Sequence, residues 1–298
     1  MANSPRYKLG HASAAPGSRD AANAFFTGAI MRNSFLDELR VGLAGSGMSV
    51  THALFENDSA STVLLGLGAR LANAKWIAGQ WTNATTTYTD DTTDAQDAGT
   101  SDFALQTLAT NNDGFIVGCL EKFTAVVTAV GTAADDTGGA GGVTGEWNYW
   151  NGSSWSALTT LAVSGTSRFF VSGRNEVLFA APTDWATATS TEITGLPAGS
   201  YYAIRYRATD APDITAALAS TLQVWDPLRI VAGQVAANTT FPLVDNASSG
   251  ILLTGAGEGL VCCITTADAD NFVSVCGEYV GTAGVLGGEN GATASANP

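Results

Sequence analysis

From about residue 48 onward the chain breaks into short runs of β-branched and aromatic residues, separated by Gly, Asn, Asp, Thr and Pro. That punctuation restricts the fold more than any other feature. Runs of this length bounded by turn residues read as antiparallel strands, and their regular spacing points to a β-sandwich. Residues 63–67 and 76–81 read as strands. Residues 123–130 carry apolar side chains on both alternating faces, so both faces of that strand are expected to be covered. Over 201–207, Tyr202, Ile204 and Tyr206 share one face, and Tyr201, Arg205 and Arg207 share the other. Further short strands are expected at 228–232, 250–254, 259–265 and 272–275.

The most local signal is residues 147–155, WNYWNGSSW. Asn151-Gly152 suits a type I′ turn, which needs two residues with positive φ. A two-residue loop would pair Tyr149 with Ser154, and a four-residue loop would pair Trp150 with Trp155; the sequence leaves both open. Upstream the periodicity differs. Residues 19–45 are expected to be helical, with Ser18 and Ser34 as N-caps and Phe35, Leu36, Leu39 and Leu43 at helical spacing. Residues 1–18 carry no periodicity and read as an extended arm. Residues 82–102 are too polar for a core and read as a long surface loop. The expected fold is therefore mainly β, with antiparallel β-sandwich domains, a short N-terminal helical segment and an extended arm. The expected division is 1–18 arm, 19–120 mixed helix and strand, 121–226 antiparallel sandwich, and 227–298 short strands with a tail.

Composition removes several function classes. The net charge is −14, from 13 Lys and Arg against 27 Asp and Glu, and no basic cluster exists to meet nucleic-acid phosphates. No apolar run approaches the ~20 residues of a membrane-spanning helix. The N-terminal residues lack the apolar core of a signal peptide. Cys119, Cys262, Cys263 and Cys276 form no CxxC and no framework, which fits reduced thiols in a cytosol.

Motifs for chemistry are equally sparse. His11 and His52 are the two histidines, and no nucleophile motif accompanies either. The glycine runs at 65–69 and 138–142 do not form a strand–GxGxxG–helix phosphate cradle. Asp90, Asp91, Asp94 and Asp97 lack the spacing of an EF-hand calcium loop, so a solvated loop is the simpler reading. No cofactor and no metal site is implied. Two groups of candidate contact residues remain. Arg6, Lys8 and Arg19 make the arm a positive exception in an acidic chain. Trp150 and Trp155 are candidates for stacking a sugar.

Residues 149–158 (YWNGSSWSAL), 177–185 (VLFAAPTDW) and 199–207 (GSYYAIRYR) together resemble β-sandwich domains in structural proteins of tailed bacteriophages. The Lys-poor, Thr/Ala/Gly-rich composition is similar to that of capsid decoration (cement) and head-fibre proteins. The resemblance covers about a third of the chain. It implies a non-enzymatic homotrimer on the capsid exterior, made in the host cytoplasm and bound to the major capsid protein. The alternative is a tail or baseplate adhesin that binds glycans through the aromatic hairpin.

Overall fold

The computed structural model describes residues 26–30, 36–40, 46–57, 60–100, 102–106, 112–135, 145–163, 169, 171–209, 215–244, 251–253, 258–265 and 272–281. The arm, with Arg6, Lys8 and Arg19, lies outside the described residues. The chain forms two compact units: residues 1–69 with 230–298, and residues 70–229. In sequence the second interrupts the first between Ala69 and Ile230, at points that lie within strands.

The strands, in chain order, begin with β1 (Phe26–Ile30), β2 (Leu36–Arg40), β3 (Ser46–Asn57) and β4 (Val63–Arg70). Next come β5 (Trp76–Thr82), β6 (Thr87–Asp90), the one-turn helix α1 (Thr92–Gln96), β7 (Phe103–Ala104) and β8 (Gly114–Cys119). They continue with β9 (Ala125–Thr132), β10 (Gly145–Trp150), β11 (Trp155–Ala157), β12 (Thr160–Val163), β13 (Gly173–Phe179) and β14 (Thr187–Ala188). The last are β15 (Tyr201–Ala208), β16 (Leu218–Val235), β17 (Thr239–Val244), β18 (Ile251–Leu253), β19 (Gly259–Ile264) and β20 (Phe272–Gly281).

In the unit formed by both ends of the sequence, β1, β20, β3 and β17 lie in that order, with β18 also on β3. There β19 pairs with β2, Cys263 opposite Leu36 and Leu260 opposite Arg40. The helix expected over 19–45 is thus replaced, in its described part, by strands β1 and β2. Gly28 and Gly42 each weaken a helix by about 1 kcal/mol relative to Ala. Strand β2 instead supplies partners to β19, which is buried at every position. Sheet pairing outweighs the helical spacing of Phe35, Leu36, Leu39 and Leu43.

In the inserted unit one sheet runs β11-β10-β15-β8-β5-β6, with β14 on β15. Facing it, β12, β13, β9 and β16 are neighbours, with β7 also on β16. Aromatic side chains fill the space between. The Phe115 ring lies 5.7 Å from those of Phe103 and Trp147 and 5.8 Å from Tyr206. Gln80 Nε2 donates across the gap to the Ala104 carbonyl at 2.8 Å. Strand β9 is buried on both faces over its first four residues, as its two apolar faces predict. The two ends of the unit lie side by side: Leu71 N–H donates to the Val224 carbonyl at 2.9 Å. Lys75 and Arg229 share the Glu121 carboxylate at 2.9 and 3.4 Å.

Two expected boundaries move. The sandwich is 70–229 rather than 121–226, because β8 and β5 are interior strands of its sheet and precede residue 121. The long loop expected at 82–102 contains β6 and α1, which bury Tyr88 and Ala95. Residues 70–229 expressed alone should therefore unfold cooperatively in urea with a β-type circular dichroism spectrum. Residues 121–226, stripped of β5, β6 and β8, should show neither.

Candidate functional site

The outward face of the β10-β15-β8-β5 sheet carries the most unusual chemistry among the described residues. Register builds it. Asn148 lies opposite Arg205, Arg205 opposite Ile116, and Ile116 opposite Gly79. Gly79 leaves room that the Tyr88 ring fills, its phenol donating to Asp90 Oδ1 at 3.0 Å. Burial, then the Asp90 charge, pushes that phenol well above the usual tyrosine range.

A strap formed by residues 186–196 crosses this face. It starts at β14, where Ala186 N–H donates to the Trp150 carbonyl and Thr187 pairs with Tyr202. It ends where the Thr194 carbonyl accepts from Tyr88 N–H at 2.8 Å. Gly195 follows with φ +96°, and a Cβ there would collide with the Tyr88 carbonyl, so glycine is required for the strap to close. Ala188, Ile193 and Leu196 then form a second core with Trp81, Ile116 and Trp150. The sheet has apolar packing on both faces.

Arg205 sits inside this second core. Its guanidinium lies 5.1 Å from the Trp81 ring centroid and 4.6 Å from that of Trp155, which is within cation–π range. The residue is only 6% exposed. Its Nη2 donates to Asn148 Oδ1 at 3.0 Å. Glu146, two pairs along the sheet, is engaged with Arg207 instead. Among the described residues no carboxylate forms an ion pair with Arg205. Burial, followed by the neighbouring Arg207 charge, holds its pKa down to about 10, with Glu146 pulling the other way. Among the described residues, three buried donors of this face have no acceptor: Arg205 Nε, Trp81 Nε1 and Trp150 Nε1.

The hairpin settles the register left open by the sequence. Trp150 pairs with Trp155, so the loop has four residues. Of the Asn-Gly pair only Gly152 has positive φ, at +97°, so the turn is not type I′. Asn151 Oδ1 instead accepts from the Ser153 and Ser154 N–H groups at 3.0 and 2.8 Å, the side chain standing in for a backbone turn. Of the two sugar-stacking candidates, Trp150 is buried at 8% exposure under the strap, while Trp155 is half-buried on the edge strand. Their rings meet edge-to-face at 5.6 Å. Arg205 and Trp81 complete the cluster. The sequence signalled Arg205 only as one of two cations sharing a face of 201–207 with Tyr201, with no sign that Trp81 lay beside it.

The aspartates of the 90–102 segment make local contacts. Thr92 Oγ1 donates to Asp90 Oδ1 at 2.6 Å, and Gln80 Nε2 to Asp91 Oδ2 at 3.2 Å. Burial, reinforced by Asp94, raises the Asp91 carboxyl. Among the described residues no three His, Cys, Asp or Glu side chains converge as a metal site. Cys119 is buried on β8, and burial pushes its thiol up to about 12, which makes it a poor nucleophile. Cys262 and Cys263 are buried in β19.

Two substitutions test this face. Gly152→Val forces a β-branched residue into positive φ and should lower the unfolding free energy by roughly 1–3 kcal/mol, read from urea denaturation. Arg205→Met exchanges an unpaired buried cation for an apolar chain of similar length. The relieved desolvation offsets the lost cation–π contact, so stability should change by less than about 1 kcal/mol. A larger loss in the same measurement would make Arg205 a structural requirement. Compared with known proteins, the chain matches no family model, no curated protein and no solved structure.

Proposed function

We propose that this chain is a non-enzymatic structural protein of a tailed-phage virion, of the capsid-decoration type, acting through surface contacts rather than chemistry. The observation that carries the reading is the way the chain is laid out. A sandwich filled with packed aromatic side chains, residues 70–229, is inserted whole into a β unit that contains both ends of the sequence. That arrangement suits a protein with one part for attachment and another for display. The resemblance of residues 149–207 to phage β-sandwich domains adds to it. The positive charges of Arg6, Lys8 and Arg19 are the candidates for contact with a capsid surface or a neighbouring copy in a homotrimer. Ligation of this kind stabilises a shell by mass action, because it favours the assembled state over free subunits.

The experiment is co-sedimentation of the full chain, side by side, with capsids stripped of decoration and with bacterial cell envelopes. Saturable binding to capsids, and capsids that withstand a higher temperature when loaded, are the expected results. A variant lacking residues 1–18 should occupy fewer capsid sites. Binding to envelopes with none to capsids would replace this reading by the adhesin alternative.

A further inference from the structure

Buried hydrogen-bond donors nearly always have acceptors. On the outward face of the inserted unit three donors in one side-chain cluster lack an acceptor among the described residues: Arg205 Nε, Trp81 Nε1 and Trp150 Nε1. The rings are close, Trp81 at 6.1 Å and Trp150 at 5.6 Å from Trp155, with the Arg205 guanidinium against two of them. The group is therefore short of acceptor oxygens and short of one negative charge. A buried cation with no ion pair is a feature that folding alone does not favour.

We propose that the Arg205–Trp155 corner of this face binds a sugar acid, its carboxylate pairing with Arg205 and its ring lying against Trp155. The chemistry selects this class. Arg205 asks for a planar anion that can take two parallel N–H bonds, which a carboxylate provides. A carboxylate brings one negative charge per sugar ring, matching the one cation that has no ion pair, whereas a phosphate monoester would bring nearly two. The C–H face of a pyranose ring complements an indole, and its hydroxyl oxygens are acceptors for the indole N–H groups. A simple carboxylate such as acetate would satisfy the cation and leave the aromatic surface unused.

Access lies on the Trp155 side. Trp155 opens β11, a three-residue strand at the edge of the sheet, paired to β10 alone. It is half-buried, whereas Trp81, Trp150 and Arg205 are buried. The proposal requires the Trp155 side chain to turn on its edge strand so that a ligand reaches Arg205, a movement that needs no strand pair to break. The stacking role inferred from the hairpin sequence thereby moves from Trp150, under the strap, to Trp155 with Arg205 behind it.

The test uses the full 15N-labelled chain and follows the Arg205 Nε–H and the indole N–H resonances of Trp81, Trp150 and Trp155. The probes are sodium glucuronate and tetragalacturonate, with glucose and sodium acetate as controls. Saturable shifts of these resonances with the uronates alone are expected. Tighter binding of the tetramer would mark a polysaccharide as the source, and equal binding a free sugar acid. Arg205→Met and Trp155→Ala should each weaken binding at least tenfold. The absence of saturable shifts up to about 20 mM would overturn the proposal and assign the unpaired donors to buried water. Equal shifts with glucose would remove the acid specificity, and equal shifts with acetate would reduce the site to an adventitious anion. Because these measurements need no capsid, they fail or succeed independently of the decoration reading.

Discussion

Strand β8 runs through the middle of the inserted sheet and is buried at all six positions, Gly114 to Cys119. A central strand buried on both faces cannot belong to a simple two-layer sandwich with one wet side. Its inward residues Phe115 and Val117 pack in the aromatic core between the sheets. Its outward residue Ile116 needs cover of its own. The strap of residues 186–196 and strand β6 supply that cover. Much of what is unusual in this unit follows from the second core: the glycine at 195, the tyrosine laid over Gly79, and an arginine enclosed by indoles.

The position of Arg205 illustrates how register converts a surface residue into a buried one. On an open sheet it would sit on the solvent face beside Arg207. Arg207 does reach a carboxylate, Glu146, directly across the strand pair. Opposite Arg205, Asn148 occupies the equivalent place and offers an amide oxygen instead. Cation–π attraction to Trp81 and Trp155 contributes about 0.5–2 kcal/mol, and the hydrogen bond to Asn148 adds a comparable amount. Both act against the desolvation that lowers the affinity of the guanidinium for its proton.

The insertion has its own economy. A unit whose two ends lie side by side needs little besides their pairing to close. Here that is a backbone hydrogen bond between residues 71 and 224, and the shared Glu121 carboxylate. The ion pairs are partly exposed and contribute little. What holds the unit together is its aromatic filling, in which loss of one buried ring such as Phe115 costs about 3–5 kcal/mol.

Alternation and turn chemistry, which act over a few residues, were legible in the sequence. They determined the β class, the strands at 63–67, 76–81 and 201–207, the two-faced burial of β9, and the existence of the aromatic hairpin. What the tertiary structure decided are properties that depend on distant partners. Leu36 is a strand residue because β19 lies beside it, and no local signal outweighed the helical spacing around it. Tyr88 is buried because Gly79 leaves space and Gly195 lets the strap close, although its own neighbours are all polar. The sandwich begins at residue 70, since pairing joins strands separated by loops whose composition says nothing about which strands meet. Arg205 and Trp81 lie 124 positions apart in the chain. Only the order β10-β15-β8-β5 brings them into contact, because residues on non-adjacent strands share a face through register alone.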